Sequence, residues 1–158
     1  MNASRVARAN TVRDVMQPRV VTVVPEMTAR ELVEVFQEQR IRGAPVLGRS
    51  GKVIGMVSES DVLRHALGAA PEPAATPSAH PGAATITRRA AMPSGRDLGD
   101  VRVGGIMGPV GLTFAPGDEL EALTRFFAAD GVQRVAVIEN DILVGIVTPA
   151  DVLRGLER

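Results

Sequence analysis

Gly55-Met56-Val57-Ser58-Glu59-Ser60-Asp61 returns 90 residues later as Gly145-Ile146-Val147-Thr148-Pro149-Ala150-Asp151, and this doubled stretch decides how the rest of the chain is read. In each copy an apolar run, Val53 to Val57 or Ile142 to Val147, predicts a buried strand that stops at a hydroxyl residue, with an acid three positions further on. That spacing starts a helix. Ser58 or Thr148 is the N-cap, Asp61 or Asp151 the acid at the third helical position, and Pro149 stands at the first, where a missing N–H costs nothing.

A helix that begins where a buried strand ends presents free backbone N–H groups and the positive end of its dipole, which suit a phosphate. Capping alone accounts for a hydroxyl and an acid three apart. It needs neither the preceding glycine nor aspartate in place of glutamate, and both recur, so the two turns are candidate sites.

Working outward, Thr11-Val12-Arg13-Asp14-Val15-Met16 predicts a short capped turn ended by Pro18, and Val20 to Val23 a short strand stopped by Pro25. Thr28 and Glu31 form a capping box for a helix to about Arg40, with Leu32, Val35 and Phe36 as its apolar stripe. Ala44 to Leu47 and Lys52 to Val57 predict a hairpin turning at Gly48-Arg49-Ser50-Gly51, closed by a helix from Glu59 to Leu67. From Val103 the order repeats: Thr22 maps on Thr113 and Pro25 on Pro116, both 91 residues on. There the helix Glu119 to Asp130 is expected to open on Asp118 with Glu121, and to bury Leu120, Leu123, Phe126 and Phe127. Strands Arg134 to Ile138 and Ile142 to Val147 follow. Each copy, about 55 residues, is marginal alone, so the two are expected to share a core as one unit.

Between them, residues 68–100 hold five of the eleven prolines, four glycines and nine alanines, with only Ile86, Met92 and Leu98 as large apolar residues. Such a segment cannot build a core and predicts an Ala/Pro-rich linker, with Arg88-Arg89 and Met92 as its one feature able to dock. Lys plus Arg and Asp plus Glu balance at 18 each, so no global field recruits nucleic acid or an anionic membrane. The absence of cysteine excludes disulfides and thiolate metal sites. Met1 to Asn10 has no apolar core of a secretion signal, and no run approaches the 18 apolar residues of a membrane span. His65 and His80 have no second ligand at metal spacing, and Gly104-Gly105-Ile106-Met107-Gly108-Pro109 lacks the lysine of a phosphate-binding loop and reads as connector. His65, one helical turn after Asp61, stands as a surface helix residue or a phosphate contact.

The two copies resemble a pair of cystathionine β-synthase (CBS) domains, a Bateman module. The likeness rests on Asp14-Val15-Met16 and Gly105-Ile106-Met107, on Arg42-Gly43-Ala44-Pro45-Val46, and on the two Gly-x-Val-[Ser/Thr]-x-x-Asp turns. It implies an α+β fold of two pseudo-symmetric β-α-β-β-α CBS repeats, 12–67 and 103–158, packed sheet to sheet into one module with the linker 68–100 left out. It further implies inter-repeat clefts for an adenine nucleotide or adenosyl ligand, and a homodimer. Asp61 and Asp151 would accept hydrogen bonds from ribose hydroxyls, and Ser58 and Thr148 would face the phosphate. Thr22 and Thr113, with Gly43, Ala44, Pro45 and Met56, would line the adenine slot. The second copy offers Val135 and Ala136 after Arg134 in place of Gly43-Ala44-Pro45, which predicts unequal sites.

The expected function is therefore a freestanding, cytoplasmic regulatory module that binds AMP, ADP or ATP and passes occupancy to a regulated protein. No catalytic residue, metal or required cofactor is expected, and no nucleic-acid or membrane partner. A ligand-independent scaffold or dimerisation module is the alternative.

Overall fold

Alternating Gly43-Ala44-Pro45-Val46-Leu47 and Val53 to Ser58 put one face of a hairpin against apolar helices, and in the computed structural model they pair as antiparallel strands β1 (Gly43–Leu47) and β2 (Val53–Ser58). The structure describes residues 9–68 and 97–157. The linker expected over 68–100 therefore falls, for 69–96, outside the described residues, and with it His80, Arg88, Arg89 and Met92.

The described residues form two compact units, 21–68 with 97–111 and 9–20 with 112–157. The Asp61 unit holds helix α1 (Ala29–Gln39), β1, β2, α2 (Glu59–Ala66) and the single turn α3 (Val103–Ile106). Its core is Val23, Leu32, Phe36, Ala44, Val46, Val57, Val62, Val103 and Ile106. The Asp151 unit holds a 3-10 turn (Val12–Asp14), α4 (Leu120–Asp130), β3 (Val135–Glu139), β4 (Ile142–Val147) and α5 (Pro149–Leu156). Val12, Val15, Phe114, Leu120, Leu123, Val135, Val137, Val147 and Val152 build its core. The fold is thus α+β with two small antiparallel sheets, as expected.

Each unit borrows the opening segment of the other repeat. Met56 exchanges backbone hydrogen bonds with Gly108 (3.1 and 2.8 Å), and Ile146 does the same with Gln17 (3.1 and 2.8 Å). The segment around Met107 thereby lines the edge of β2, and the segment around Met16 the edge of β4, which satisfies backbone groups a bare edge strand would leave open. Gly104 to Gly108, read as connector, contains α3, held by Val103 N–H to Met27 O (2.8 Å) and Gly104 N–H to Pro25 O (3.0 Å).

The expected strand at Val20 to Val23 is one parallel bridge, Val23 to Val46. Val23 N–H donates to Pro45 O (3.1 Å) and Leu47 N–H to Val23 O (2.9 Å). The next rung forward would need an N–H from Pro25 and the next rung back an N–H from Pro45, and neither exists. Phe114 repeats the pattern against β3, with Pro116 in the place of Pro25.

Helix α4 does not start on the expected Asp118 and Glu121 box. Its N-cap is Glu119, while Asp118 turns back to accept from Ala115 N–H (2.7 Å) and Glu121 pairs with Arg125. A short carboxylate satisfies the nearer turn first. The hairpins match their sequences: Gly51 takes φ +79° in the first, and Asn140 and Asp141 take +51° and +65° in the two-residue turn of the second.

Candidate functional site

Four helical starts of the described chain, that of the 3-10 turn at Thr11 included, carry a hydroxyl and an acid three apart, and they differ in how tightly the hydroxyl accepts. In α1 both arms of the box close: Thr28 N–H donates to Glu31 Oε2 (2.8 Å), and Glu31 N–H donates to Thr28 Oγ1 (3.2 Å). In α2 and α5 the box forms as well, with the carboxylate arm the tight one. Ser58 N–H and Thr148 N–H reach Asp61 and Asp151 Oδ2 at 2.7 and 2.9 Å, and the hydroxyl arm is looser than at Thr28. Each hydroxyl donates to its carboxylate, at 3.0 and 2.9 Å, as Thr28 does to Glu31 at 3.0 Å. Of the first-turn N–H groups, Glu59 N–H is engaged by Arg42 O (3.0 Å) and Asp151 N–H by Thr148 O (3.0 Å), and Pro149 has none.

The second carboxylate oxygen of each aspartate points to an arginine one turn along. Arg64 donates to Asp61 Oδ1 (2.6 Å) and Arg154 to Asp151 Oδ1. Asp151 is the buried charged residue of the described chain, and it accepts one donor more, Gln17 Nε2 at 2.8 Å. These two arginines were absent from the expected site. The repeated tetrapeptide Asp-Val-Leu-Arg at 61–64 and 151–154 was the sign that could have found them.

The register sorts the expected slot residues. Gly43 faces Ser58 and Pro45 faces Met56 across the hairpin, so these four share one face of β1 and β2 and converge on the start of α2. Ala44 lies on the other face, in the core with Val46 and Val57. In the second hairpin Ala136 faces Ile146, while Val135 belongs to the core. Thr22 is exposed and Thr113 half-buried, each one residue before the bridge that joins its hairpin. On α2, His65 Nε2 is buried without a hydrogen-bond partner in the structure.

The repeated glycine has a packing reason. A Cβ at Gly55 would lie 2.7 Å from both Gly108 O and Met107 Sδ, and at Gly145 2.8 Å from Met16 Sδ. Both glycines admit the methionine of the borrowed segment, so they answer to that contact and not to a ligand. Among the described residues no three His, Cys, Asp or Glu gather as a metal site, and no helix is long and apolar enough to cross a membrane.

The CBS domain family model matches residues 12–68 and 103–158. Uncharacterized protein MJ1225 of Methanocaldococcus jannaschii is 26% identical over 145 residues, 92% of this chain and 42% of that protein. The chain spans less than half the length of the curated relatives it matches. CBS-domain containing protein ATU1752 from Agrobacterium tumefaciens is similar in structure at TM-score 0.72, with 20% identity over 98% of each chain. CBSX2 from Arabidopsis thaliana, solved in complex with AMP, is similar at TM-score 0.65 and 22% identity, over 92% of this chain and 95% of that one.

Proposed function

Since the chain belongs to the CBS domain family, with two copies that make it a CBS pair, we propose that it is a regulatory module that binds an adenine nucleotide or adenosyl ligand at its repeated turns. The observation that carries the reading is a pairing made at both repeated turns: the carboxylate at the third helical position holds the strand-end N–H with one oxygen and an arginine one turn along with the other, Asp61 with Arg64 and Asp151 with Arg154. Together with the helix-start N–H groups these match two parts of a nucleotide: N–H groups and guanidinium for phosphate, carboxylate for ribose hydroxyls. In this reading Arg64 leaves Asp61 for the phosphate as the hydroxyls take its place, so the carboxylate never lacks donors. AMP bound to CBSX2 is consistent with it. Gly43, Pro45, Met56 and Thr22 line the base slot of the first turn, and Ala136 and Thr113 that of the second. Ala44 and Val135 contribute backbone only.

Occupancy reaches a partner protein by shifting the population of module conformations, since a ligand moves an equilibrium only by its unequal affinity for two states. The exposed Leu63 and Leu67 of α2 and Leu153 and Leu156 of α5 support a homodimer, and equally the second reading, a ligand-independent dimerisation scaffold.

Calorimetric titration of AMP, ADP, ATP and S-adenosylmethionine into wild type and Asp61→Asn separates the two. Loss of a charge-assisted acceptor should weaken binding roughly 10- to 150-fold, an effect of about 1.5–3 kcal/mol, while a cap change costs about 1 kcal/mol of stability. Unchanged affinity with a lowered melting temperature would leave the scaffold reading standing.

A further inference from the structure

Resting on that nucleotide reading, we propose that Gln17 makes the two turns unequal: it occupies the Asp151 carboxylate and leaves the Asp61 turn as the one that takes the nucleoside. Gln17 and Gly108 hold equivalent places. Each exchanges a pair of backbone hydrogen bonds with the residue after the strand glycine, Ile146 or Met56, and each precedes a proline that keeps its backbone extended. Their side chains differ completely. From that fixed backbone the Gln17 amide donates to Asp151 Oδ1 at 2.8 Å, whereas Gly108 has nothing to offer Asp61.

The consequence is competition at one oxygen. Asp151 Oδ1 holds Gln17 as well as Arg154, whereas the donor at Asp61 Oδ1 is Arg64, so a ribose hydroxyl that takes the arginine's place still competes with Gln17 at Asp151, which lowers apparent affinity by about 10- to 100-fold. The environments agree with this. The Asp151 side chain keeps 3% of its exposure and that of Asp61 15%.

The exchange can be reversed by substitution, because a Cβ at Gly108 meets nothing closer than Met56 O at 3.8 Å, an ordinary contact, and Gly108→Gln fits the existing backbone. AMP and ATP are titrated by calorimetry into wild type, Gln17→Gly, Gln17→Ala, Gly108→Gln and the Gln17→Gly/Gly108→Gln double variant, with melting curves of each. Wild type is expected to bind one nucleotide tightly per chain. Gln17→Gly and Gln17→Ala should add a second site, stronger by about 10- to 100-fold than in wild type, and Gly108→Gln should weaken the first by a similar factor. In the double variant binding should become sensitive to Asp151→Asn and insensitive to Asp61→Asn. Identical stoichiometry and affinity in wild type, Gln17→Gly and Gln17→Ala overturns the role of Gln17 alone. No heat with either nucleotide in any of the proteins overturns the nucleotide reading and this inference together.

Discussion

Replacing Gly55 by alanine tests whether the repeated glycine is there for the borrowed methionine. The added methyl would sit 2.7 Å from Gly108 O and 2.7 Å from Met107 Sδ. The thioether can swing aside, but the carbonyl cannot without loosening its hydrogen bond from Met56 N–H. Overpacking of this kind costs about 1–3 kcal/mol. Against it stands the roughly 0.4–1 kcal/mol that alanine gains over glycine by narrowing the unfolded ensemble. The net loss is up to about 2.6 kcal/mol, with about 1.3 kcal/mol at the middle of both ranges, which for a chain of this size lowers the melting temperature by roughly 3–5 °C. Gly145→Ala should lose less, because its closest atom is the flexible Met16 Sδ at 2.8 Å and its nearest backbone atom, Gln17 O, is 3.2 Å away. Gly105→Ala, with no atom within 4 Å of its Cβ and a place inside α3, is the control expected to melt at or above wild type. Thermal melts by circular dichroism read all three. A Gly55→Ala protein as stable as wild type, or a Gly105→Ala protein that falls equally, would refute the packing account and return the glycines to the ligand.

Two further outcomes follow from surface features. Leu63 and Leu153 are 63% and 62% exposed, so Leu63→Glu with Leu153→Glu should leave the melting temperature within about 2 °C yet convert a dimer to a monomer in light scattering. A wild type already monomeric would remove the dimer. The Asp14 carboxyl is held below its ordinary value, first by the Thr11 N–H and then by the Asn10 N–H and the Thr11 hydroxyl. A depressed carboxylate contributes stability that is complete above its unfolded value near 4 and is lost as pH falls through the folded one. The stability gap between wild type and Asp14→Asn should therefore be constant near neutrality and close from roughly pH 5 to 2. Urea midpoints across that range measure it, and a gap that widens in acid contradicts the assignment.

Periodicity and capping residues were enough to read the hairpins, the two long helices and the doubling, because each depends on neighbours within a few positions. The short bridge at Val23 was readable too, had the prolines at 25 and 45 been counted as missing donors on facing strands. Two-residue alternation from Val46 would likewise have placed Ala44 in the core and Pro45 on the other face. The distant partner of Asp151 was not legible in this way. Gln17 lies 134 residues from it, and nothing local in Met16-Gln17-Pro18 says which strand edge that segment will pair with. The looseness of the hydroxyl arm at Ser58 and Thr148 was hidden for another reason: a hydroxyl can donate or accept, and only the neighbouring carboxylate decides.

The borrowed segments also set an order of assembly during synthesis. The described residues of the unit around Asp61 are 21–68 and 97–111, so every partner of its hairpin, α3 and Gly108 included, has been made by the time Leu112 is added. The unit around Asp151 is split, with Thr11 bridging to Glu119 and Gln17 to Ile146. At roughly 5–20 residues per second, the first twenty residues wait several seconds on the ribosome for β4 to appear, and closing so long a loop is slow in itself. Until then Val12, Val15 and Met16 have no native cover. The two halves of one repeated sequence thus mature at different times, and the segment around Val12 and Met16 is the last to meet its native partners.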